Sequence, residues 1–331
     1  MFRSFPTPPR MLRALALGAG LLALGAHAFA QGAYPSKAIT LVVGFPPGGS
    51  NDIVARIIAQ PLGEVLGVPV VVENRPGANA ILGTDHVVRS TPDGYTITLG
   101  SASPLAISPS TYPKMPFDPL KDLTGITTVA STSELVAMHS SVKVNSLAEL
   151  IALSQQRDVT LASSGNGGLP HLAIELLRKA SKGKIVHVPY KGAGPAITDA
   201  MGGHVDGVVM DLPALLPGVR DGRLRPIVMA DDKRSSALPN VPSAKEAGNP
   251  GLIAVNWFAV MAPARTPQPV VDKLFAALTK VMQTPRVVKQ LQDNAMEPFL
   301  QPSTAAFDKF FKDELLRWGA IARESGARVE Q

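Results

Sequence analysis

Short apolar runs alternate along the chain with segments in which apolar residues recur every three or four positions. The runs Ile39–Val43 and Val68–Val72 are rich in β-branched residues, which is typical of buried strands. Between them, apolar residues recur at helical spacing over positions 53–66, and Pro61 within this segment predicts a kink or a break. The pattern therefore predicts a strand, a loop, a helix and a second strand.

The same alternation continues to the C-terminus. Further strands are predicted at Tyr95–Leu99, Val159–Ala162, Ile185–Val188, Val205–Met210, Arg225–Ala230 and Val255–Met261. Helices are predicted at Leu147–Gln155, where Ser146 and Glu149 form a capping box, and at Leu172–Ala180, Pro269–Thr284, Pro285–Asn294 and Ala305–Glu324. Strands that alternate with helices indicate an α/β fold with mostly parallel sheets and helices on their faces.

Loops of Gly, Pro, Ser and Asn follow several of these strands, and in such folds sites lie at the carboxyl ends of strands. Glycine exposes backbone N–H groups, a helix N-terminus carries partial positive charge, and Ser and Asn add neutral donors. The pattern indicates an anion-binding site that needs no lysine or arginine, although glycine and proline also simply make tight turns. These loops are 44–52, 73–79, 100–104, 163–168 and 189–195.

The first thirty residues have the pattern of an export signal. Arg3, Arg10 and Arg13 precede an apolar run over 14–26, and the small-x-small sequence Ala28-Phe29-Ala30 follows. We predict a signal peptide over 1–30 that is cleaved before Gln31. The alternative, an uncleaved membrane anchor, has an apolar core shorter than the roughly 20 residues that span a bilayer.

Composition narrows the function further. The chain has 331 residues, a length that predicts two domains. It has no cysteine, which excludes disulfides, thiolate nucleophiles and zinc fingers. Loss of the three leader arginines lowers the formal net charge from +6 to +3. This charge, with few aromatic residues, argues against nucleic acid as a partner.

The sequence lacks the common catalytic motifs. Gly44–Gly49 has P-loop spacing but is followed by Ser50 instead of the phosphate-binding lysine, and no complete dinucleotide fingerprint, nucleophile elbow or H-E-x-x-H motif occurs. His171 and Glu175 stand four residues apart, which is better explained by a histidine that supports a loop than by a metal ligand. We predict no enzyme activity, no metal and no cofactor.

Collinear motifs then give the chain a family resemblance. They are Phe45–Arg56, Glu73–Ala78, Pro92–Tyr95, Phe117–Leu123, Ser163–Gly167 with His171–Ala173, His187–Gly192, Arg234–Pro242, Glu246–Gly248 and Trp257–Phe258. Over essentially the whole chain after the leader, this order resembles the Bug-type receptors, the solute-binding proteins of tripartite tricarboxylate transporters.

The resemblance implies a two-domain periplasmic binding protein of the type II class, with the ligand in the cleft between the domains. It places domain 1 at 31–133 plus 251–331 and domain 2 at 134–250. The family's ligands are small carboxylates, and one carboxylate is typically held by the backbone and hydroxyl groups of two facing loops. The implied ligand-binding residues are Phe45, Pro47, Gly48, Gly49, Ser50, Asn51, Asp52, Ala78, Ser101, Ser103, Ser164, Asn166, Gly167, Gly168, Lys191, Gly192, Ala193 and Asp211.

Two departures from the family's pattern bear on the ligand. Gly168-Leu169-Pro170 replaces a segment that many relatives fill with Ser and Thr, and Met210 stands where many have a polar residue. We therefore expect a ligand with one carboxylate and a partly apolar or aromatic body. Asp211 replaces a usual Asn or Ser, so a contact between Asp211 and a ligand amino group does not carry over directly. Asp52 has an alternative role as a helix cap, and Trp257 is expected to pack near the crossover.

The predicted function is capture of a carboxylate in the periplasm by a monomeric receptor and its delivery to the membrane subunits of a transporter. An alternative in another class is a sensor that presents the ligand to a membrane histidine kinase. A remote alternative is an exported α/β hydrolase, which would need a nucleophile and base that the sequence does not offer.

Overall fold

The computed structural model describes residues 34–329. The predicted signal peptide and its cleavage site before Gln31 lie outside these residues. No helix within 34–329 combines the length and the apolar character needed to cross a membrane.

Strands and helices alternate as the sequence pattern predicts. The strands are β1 Ile39–Val43, β2 Val70–Asn74, β3 Thr96–Ser101, β4 Leu123–His139, β5 Val159–Ser163, β6 Ile185–Pro189, β7 Gly207–Asp211, β8 Leu224–Met229, β9 Val255–Pro263 and β10 Glu297–Pro298. The helices are α1 Ser50–Leu66, α2 Ile81–Val88, α3 Ser108–Thr111, α4 Pro119–Asp122, α5 Leu147–Gln156, α6 Leu169–Ser181, α7 Ala193–Gly202, α8 Leu212–Arg220, α9 Gln268–Met282, α10 Pro285–Asp293 and α11 Thr304–Ser325, with a short π-helix at Ser103–Ile107.

The strands form one mixed sheet in the order β2-β1-β3-β9-β4-β7-β5-β6, and β8 and β10 also pair with β4. Pairing is parallel on both flanks, where β1 lies between β2 and β3 and β5 lies between β6 and β7. It is antiparallel in the middle, where β9 pairs with β3 and β4, and β4 pairs with β7. The α/β class is confirmed, and the parallel pairing that we predicted is confined to the flanks.

Strand β4 joins the two halves of the sheet. Its residues from Leu123 to Ser133 pair with β9, and those from Glu134 to Met138 pair with β7. The domain boundaries stay a prediction, and this change of partner falls at the boundary that we placed between positions 133 and 134. Because β4 is buried on both faces along most of its length, it lacks the polar–apolar alternation that would have revealed it in the sequence.

Local sequence explains most element ends. Helix α1 buries Val54, Ile58 and Leu62 on one face and continues through Pro61, so the predicted break is wrong. Helix α5 is capped as predicted by Ser146, whose hydroxyl accepts a hydrogen bond from the Glu149 amide at 3.2 Å.

Three apolar clusters form the core. One lies within the first half of the sheet and includes Leu41 and Ile58, and another lies within the second half and includes Leu135. In the largest cluster, Trp318 of α11 packs with residues of both halves, among them Leu172. The C-terminal helix therefore helps to fix the two halves together.

Candidate functional site

Three helices begin at the carboxyl ends of strands with glycine as the N-cap residue. They are α1, α6 and α7, and their N-caps are Gly49, Gly168 and Gly192. Glycine has no side chain that could occupy the first amide groups, and the N-termini of these helices carry partial positive charge.

Some helices elsewhere in the fold use side chains for the same amides. Ser146 caps α5 and Ser303 caps α11, where the Ser303 hydroxyl accepts from the Ala306 amide at 3.0 Å. At the starts of α1 and α7 no N-cap side chain occupies the first amides, whereas in α6 the Leu169 amide donates to Ser103 Oγ and Pro170 has no N–H.

The first loop, Phe45–Gly49, is held from below by Asp52. This carboxylate accepts hydrogen bonds from the Gly48 amide at 3.0 Å, Arg56 Nε at 2.9 Å and Asn74 Nδ2 at 3.0 Å. Burial alone would raise the pKa of Asp52, but these hydrogen bonds outweigh burial and lower the pKa below its ordinary value. Both carboxylate oxygens have partners within the protein, which supports the helix-cap alternative; direct contact between Asp52 and a ligand stays a prediction.

The second loop, Ser164–Gly168, is held by two stacked histidines. The rings of His171 and His187 are 4.0 Å apart at an interplanar angle of 13°. His171 Nδ1 accepts from the Gly167 amide at 3.0 Å, and His187 Nε2 lies 2.6 Å from Ser163 Oγ. The supporting role predicted for His171 agrees with this geometry.

Both imidazoles are neutral at pH 7. Burial lowers the pKa of His171 to about 4 and that of His187 to about 3, and the neighbouring charges of Arg178 and of the partner ring act in the same direction. Because Ser163 Oγ donates to the Gly165 carbonyl at 2.9 Å, His187 Nε2 carries the proton and donates to Ser163.

The second loop also contacts the first half of the molecule. Ser103 Oγ accepts from the Leu169 amide at 3.0 Å, and Thr111 Oγ1 donates to the Gly167 carbonyl at 2.9 Å. A Cβ atom added at Gly168 would lie 3.1 Å from Asn79 Oδ1 and 3.3 Å from Ser103 Oγ. Elements from both halves thus meet closely around Gly168.

The other predicted site residues differ in exposure. Ser50, Asn51 and Ser101 are buried, and the Asn51 Nδ2 and Ser101 Oγ atoms are buried without a hydrogen-bond partner among residues 34–329. The partly exposed ones are Phe45, Gly49, Ser164, Gly192, Ala193 and Asp211, and the exposed ones are Pro47, Gly48, Ala78, Asn166 and Lys191.

Sequence reasoning missed three polar residues at this edge of the sheet. Asn79 donates to Ser108 Oγ at 3.1 Å, and Asn256 accepts from the Ala102 amide at 3.3 Å. The third is Glu134, which is fully buried in β4. A single polar residue within an apolar run, such as Asn256 in β9, was the available signal.

In the described part of the chain, no three His, Asp or Glu side chains gather in a way that could hold a metal ion.

Trp257 packs near the crossover as predicted, and its buried indole donates to Glu314 Oε2 at 2.8 Å.

Comparison with known proteins identifies the family of the chain. The family model described as "Tripartite tricarboxylate transporter family receptor" matches residues 54–327. Protein BugT of Bordetella pertussis is 37% identical over 300 residues, which cover 90% of this chain and 92% of BugT.

Solved structures extend the likeness to the fold. A structure described as a periplasmic transporter is 35% identical with a TM-score of 0.85, covering 90% of this chain and 100% of its own. R. palustris Rpa4515 with adipate is 31% identical with a TM-score of 0.85, covering 89% and 100%. The resemblance inferred from the motifs is confirmed, and the chain belongs to the Bug-type receptor family of tripartite tricarboxylate transporters.

Proposed function

We propose that this receptor captures a small carboxylate between the first and second loops and delivers it to a tripartite tricarboxylate-type transporter. The observation that carries the proposal is the set of glycine N-caps at Gly49, Gly168 and Gly192, which have no side chain of their own to occupy the first helix amides, although the Leu169 amide of α6 donates to Ser103 Oγ. Such amides bind a carboxylate without a buried cation. The adipate in Rpa4515 is a carboxylate as well, which supports the same ligand class here.

A second part of the proposal concerns the rest of the ligand beyond its carboxylate. We keep the expectation of a single carboxylate with a partly apolar or aromatic body. Leu169 and Met210, on which that expectation rested, are both buried in apolar clusters. The expectation therefore depends on the polar groups that these two residues replace, since neither side chain is exposed at the site surface. Thermal-shift screening tests the proposal, because stabilisation by citrate or malate without stabilisation by aromatic acids would contradict it.

The site needs no bond-breaking step. Binding that favours a closed arrangement over an open one gives the transporter a state to recognise. Deletion of the gene separates delivery from sensing: we expect loss of uptake of the ligand, whereas loss of induction with intact uptake would favour the sensor.

Export to the periplasm as a monomer completes the proposal. The mature chain is expected to begin at Gln31. Mass spectrometry of the protein from a periplasmic extract would give this N-terminus, and a chain that retains Met1 would contradict cleavage.

Two polar side chains test the site directly. Ser50 begins α1 and Asn166 lies in the second loop, so the double variant Ser50→Ala, Asn166→Ala removes one donor from each facing loop. A net hydrogen bond contributes about 1 kcal/mol, and more when it meets a charge, so we expect the dissociation constant measured by calorimetry to rise roughly 10- to 100-fold.

Ser303→Ala is the matched control, because Ser303 caps α11 by its hydroxyl. It should lower stability by about 1 kcal/mol and leave affinity unchanged. An unchanged dissociation constant in the double variant would remove Ser50 and Asn166 from the site.

A further inference from the structure

Two carboxyl groups face each other where the halves of the sheet join. Glu134 of β4 lies opposite Asp211, the last residue of β7, in the antiparallel register. This register puts the two side chains next to each other on the same face of the sheet. Glu134 is fully buried, and among residues 34–329 no donor group supplies a hydrogen bond to either of its oxygens.

Asp211 connects this pair to the proposed ligand site. Its carboxylate accepts from Asn256 Nδ2, which is 3.1 Å from each oxygen, and it lies close to the side chain of Ser50 at the start of α1. Asp211 itself is only partly buried. The charge of the pair therefore reaches the carboxyl edge of the sheet, directly beneath the first loop.

Unpartnered polar atoms at the same edge point to a ligand. Asn51 Nδ2 and Ser101 Oγ are buried, and neither has a hydrogen-bond partner within the described residues. Asn51 is in the first turn of α1, and Ser101 ends β3. Buried polar groups normally have partners, so these two are positioned for something that the protein itself does not supply.

The pair carries a single negative charge. Two adjacent carboxyls, of which Glu134 is fully buried, are not both ionised, because burial and the like charge oppose the second ionisation. Burial raises the pKa of Glu134 well above its ordinary value, with the charge of Asp211 acting in the same direction, and burial also raises the pKa of Asp211. Since Asn256 and Ser50 stabilise the ionised form of Asp211, the proton resides on Glu134.

Nearby charges do not cancel this one. In the described part of the chain, neither Glu134 nor Asp211 takes part in an ion pair with a lysine, arginine or histidine. On α1, Asp52 is committed to Arg56, and next to Glu134 the hydroxyl of Ser133 contacts another carboxylate, Asp231. Asp211 therefore places a negative charge at the base of the proposed site, whereas the helix N-termini at the loops favour an anion.

We propose that Glu134 and Asp211 form a carboxylic acid–carboxylate pair that sets ligand specificity. Its charge repels a second carboxylate, so the receptor takes monocarboxylates whose far end is neutral or donates a hydrogen bond. Asp211 faces the ligand, and Glu134 is a positioning residue that holds the proton. This inference rests on the proposed function and narrows its ligand class.

Calorimetry with two probes of equal length tests the inference, in a buffer containing a chelator. Hexanoate and adipate differ only in the second carboxylate. A like charge about 6 Å away in a partly buried site changes affinity on the order of a hundredfold, so wild-type protein should bind hexanoate about that much more tightly than adipate. In Asp211→Asn, this preference for hexanoate over adipate should fall to near one, because the charge that penalises the second carboxylate is gone.

Two further variants are compared with Asp211→Asn. Asp206→Asn removes the same charge from a site that pairs with Arg157, away from Asp211, and should not alter adipate binding. Glu134→Gln should keep adipate excluded, because Asp211 stays ionised. In the infrared spectrum at neutral pH, the band of a protonated carboxyl should be present in wild type and absent in Glu134→Gln.

The outcomes separate the two proposals. Equal binding of adipate and hexanoate by wild type, or no gain of adipate binding in a folded Asp211→Asn, would overturn the specificity pair and leave carboxylate capture standing. Absence of binding of every carboxylate, in wild type and variants alike, would overturn both.

Discussion

The two loops that face each other across the site are supported by different chemistry. Beneath the first loop lies a charged group, the Asp52 carboxylate with Arg56. Beneath the second lies a neutral one, the stacked rings of His171 and His187. Both supports hold backbone segments whose adjacent helix begins with a glycine N-cap. The same presentation of free amides is thus reached once by an ion pair and once by an uncharged stack.

An anion site can be built in either way without a cation. Below the first loop, Arg56 is paired with Asp52. Below the second loop, burial keeps the two imidazoles unprotonated at neutral pH. Neither support offers a full positive charge to the ligand. The amides and the helix N-termini are left to bind the carboxylate.

Removal of the Asp52 carboxylate should have a large effect on the first loop. Asp52→Ala removes three hydrogen bonds to one carboxylate, from the Gly48 amide, Arg56 and Asn74, so we expect a loss of about 3 kcal/mol in the free energy of unfolding and loss of measurable carboxylate binding. Urea unfolding and calorimetry measure both quantities.

Asp293→Ala is the control for that substitution. Asp293 pairs with Lys289 at the same i,i+4 spacing, but both side chains are exposed, so stability should change by less than about 0.5 kcal/mol. If Asp52→Ala were as mild as this control, the Asp52 network would not support the first loop.

A second prediction tests the neutral support of the second loop through pH. His187 stays neutral in the folded protein down to a pKa of about 3, whereas in the unfolded chain it binds a proton below its ordinary pKa of 6.5. Between these values the unfolded state binds more protons, so stability falls as the pH is lowered. From pH 7 to pH 5 this histidine should cost about 2 kcal/mol in the free energy of unfolding.

His187→Gln keeps a donor for Ser163 and removes the titration. Its free energy of unfolding should therefore decline less between pH 7 and pH 5 than that of wild type, by about 2 kcal/mol. His204→Gln, at an exposed position, should follow wild type. Equal declines in wild type and His187→Gln would show that the stack is protonated or absent.

The two N-cap glycines of α1 and α6 differ in the space around them, and a substitution there should have a small effect. A Cβ at Gly168 would press on Asn79 and Ser103, whereas at Gly49 it would meet only the Pro46 carbonyl, at 3.9 Å. Neither glycine has a positive φ, so alanine fits both backbones. Gly168→Ala should weaken carboxylate binding by about 1 kcal/mol, or roughly fivefold. Calorimetry on both variants should find Gly49→Ala near wild type, and the reverse order would contradict the packing described here.

Much of the architecture could be predicted from the sequence because its signals are local. Strand β1 and the glycine loops after β1 and β5 are readable from β-branched runs and from the loss of side chains at helix starts. Strand β4 could not be predicted, because burial on both faces removes its alternation and its partners β7 and β9 lie more than sixty residues away in the chain.

The site shows the same division. The residues of the two loops were predicted from local composition and family motifs, and Ser50 and Gly168 lie at helix starts as expected. Glu134 and Asn256 were missed, because their chemistry comes from the pairing of distant strands with Asp211. The local pattern shows that a polar residue such as Asn256 interrupts an apolar run, but it does not show which distant residue it meets.

Binding of one carboxylate by amides of both loops can be followed by amide chemical shifts of the mature chain, titrated with the tightest-binding carboxylate from the screen and with its uncharged primary amide. We expect the acid to shift the backbone amides of Ser50 and Asn51 and that of Gly168 together, with one dissociation constant, and the amide analogue to leave them unchanged. Shifts confined to one loop, or equal shifts with both compounds, would contradict it.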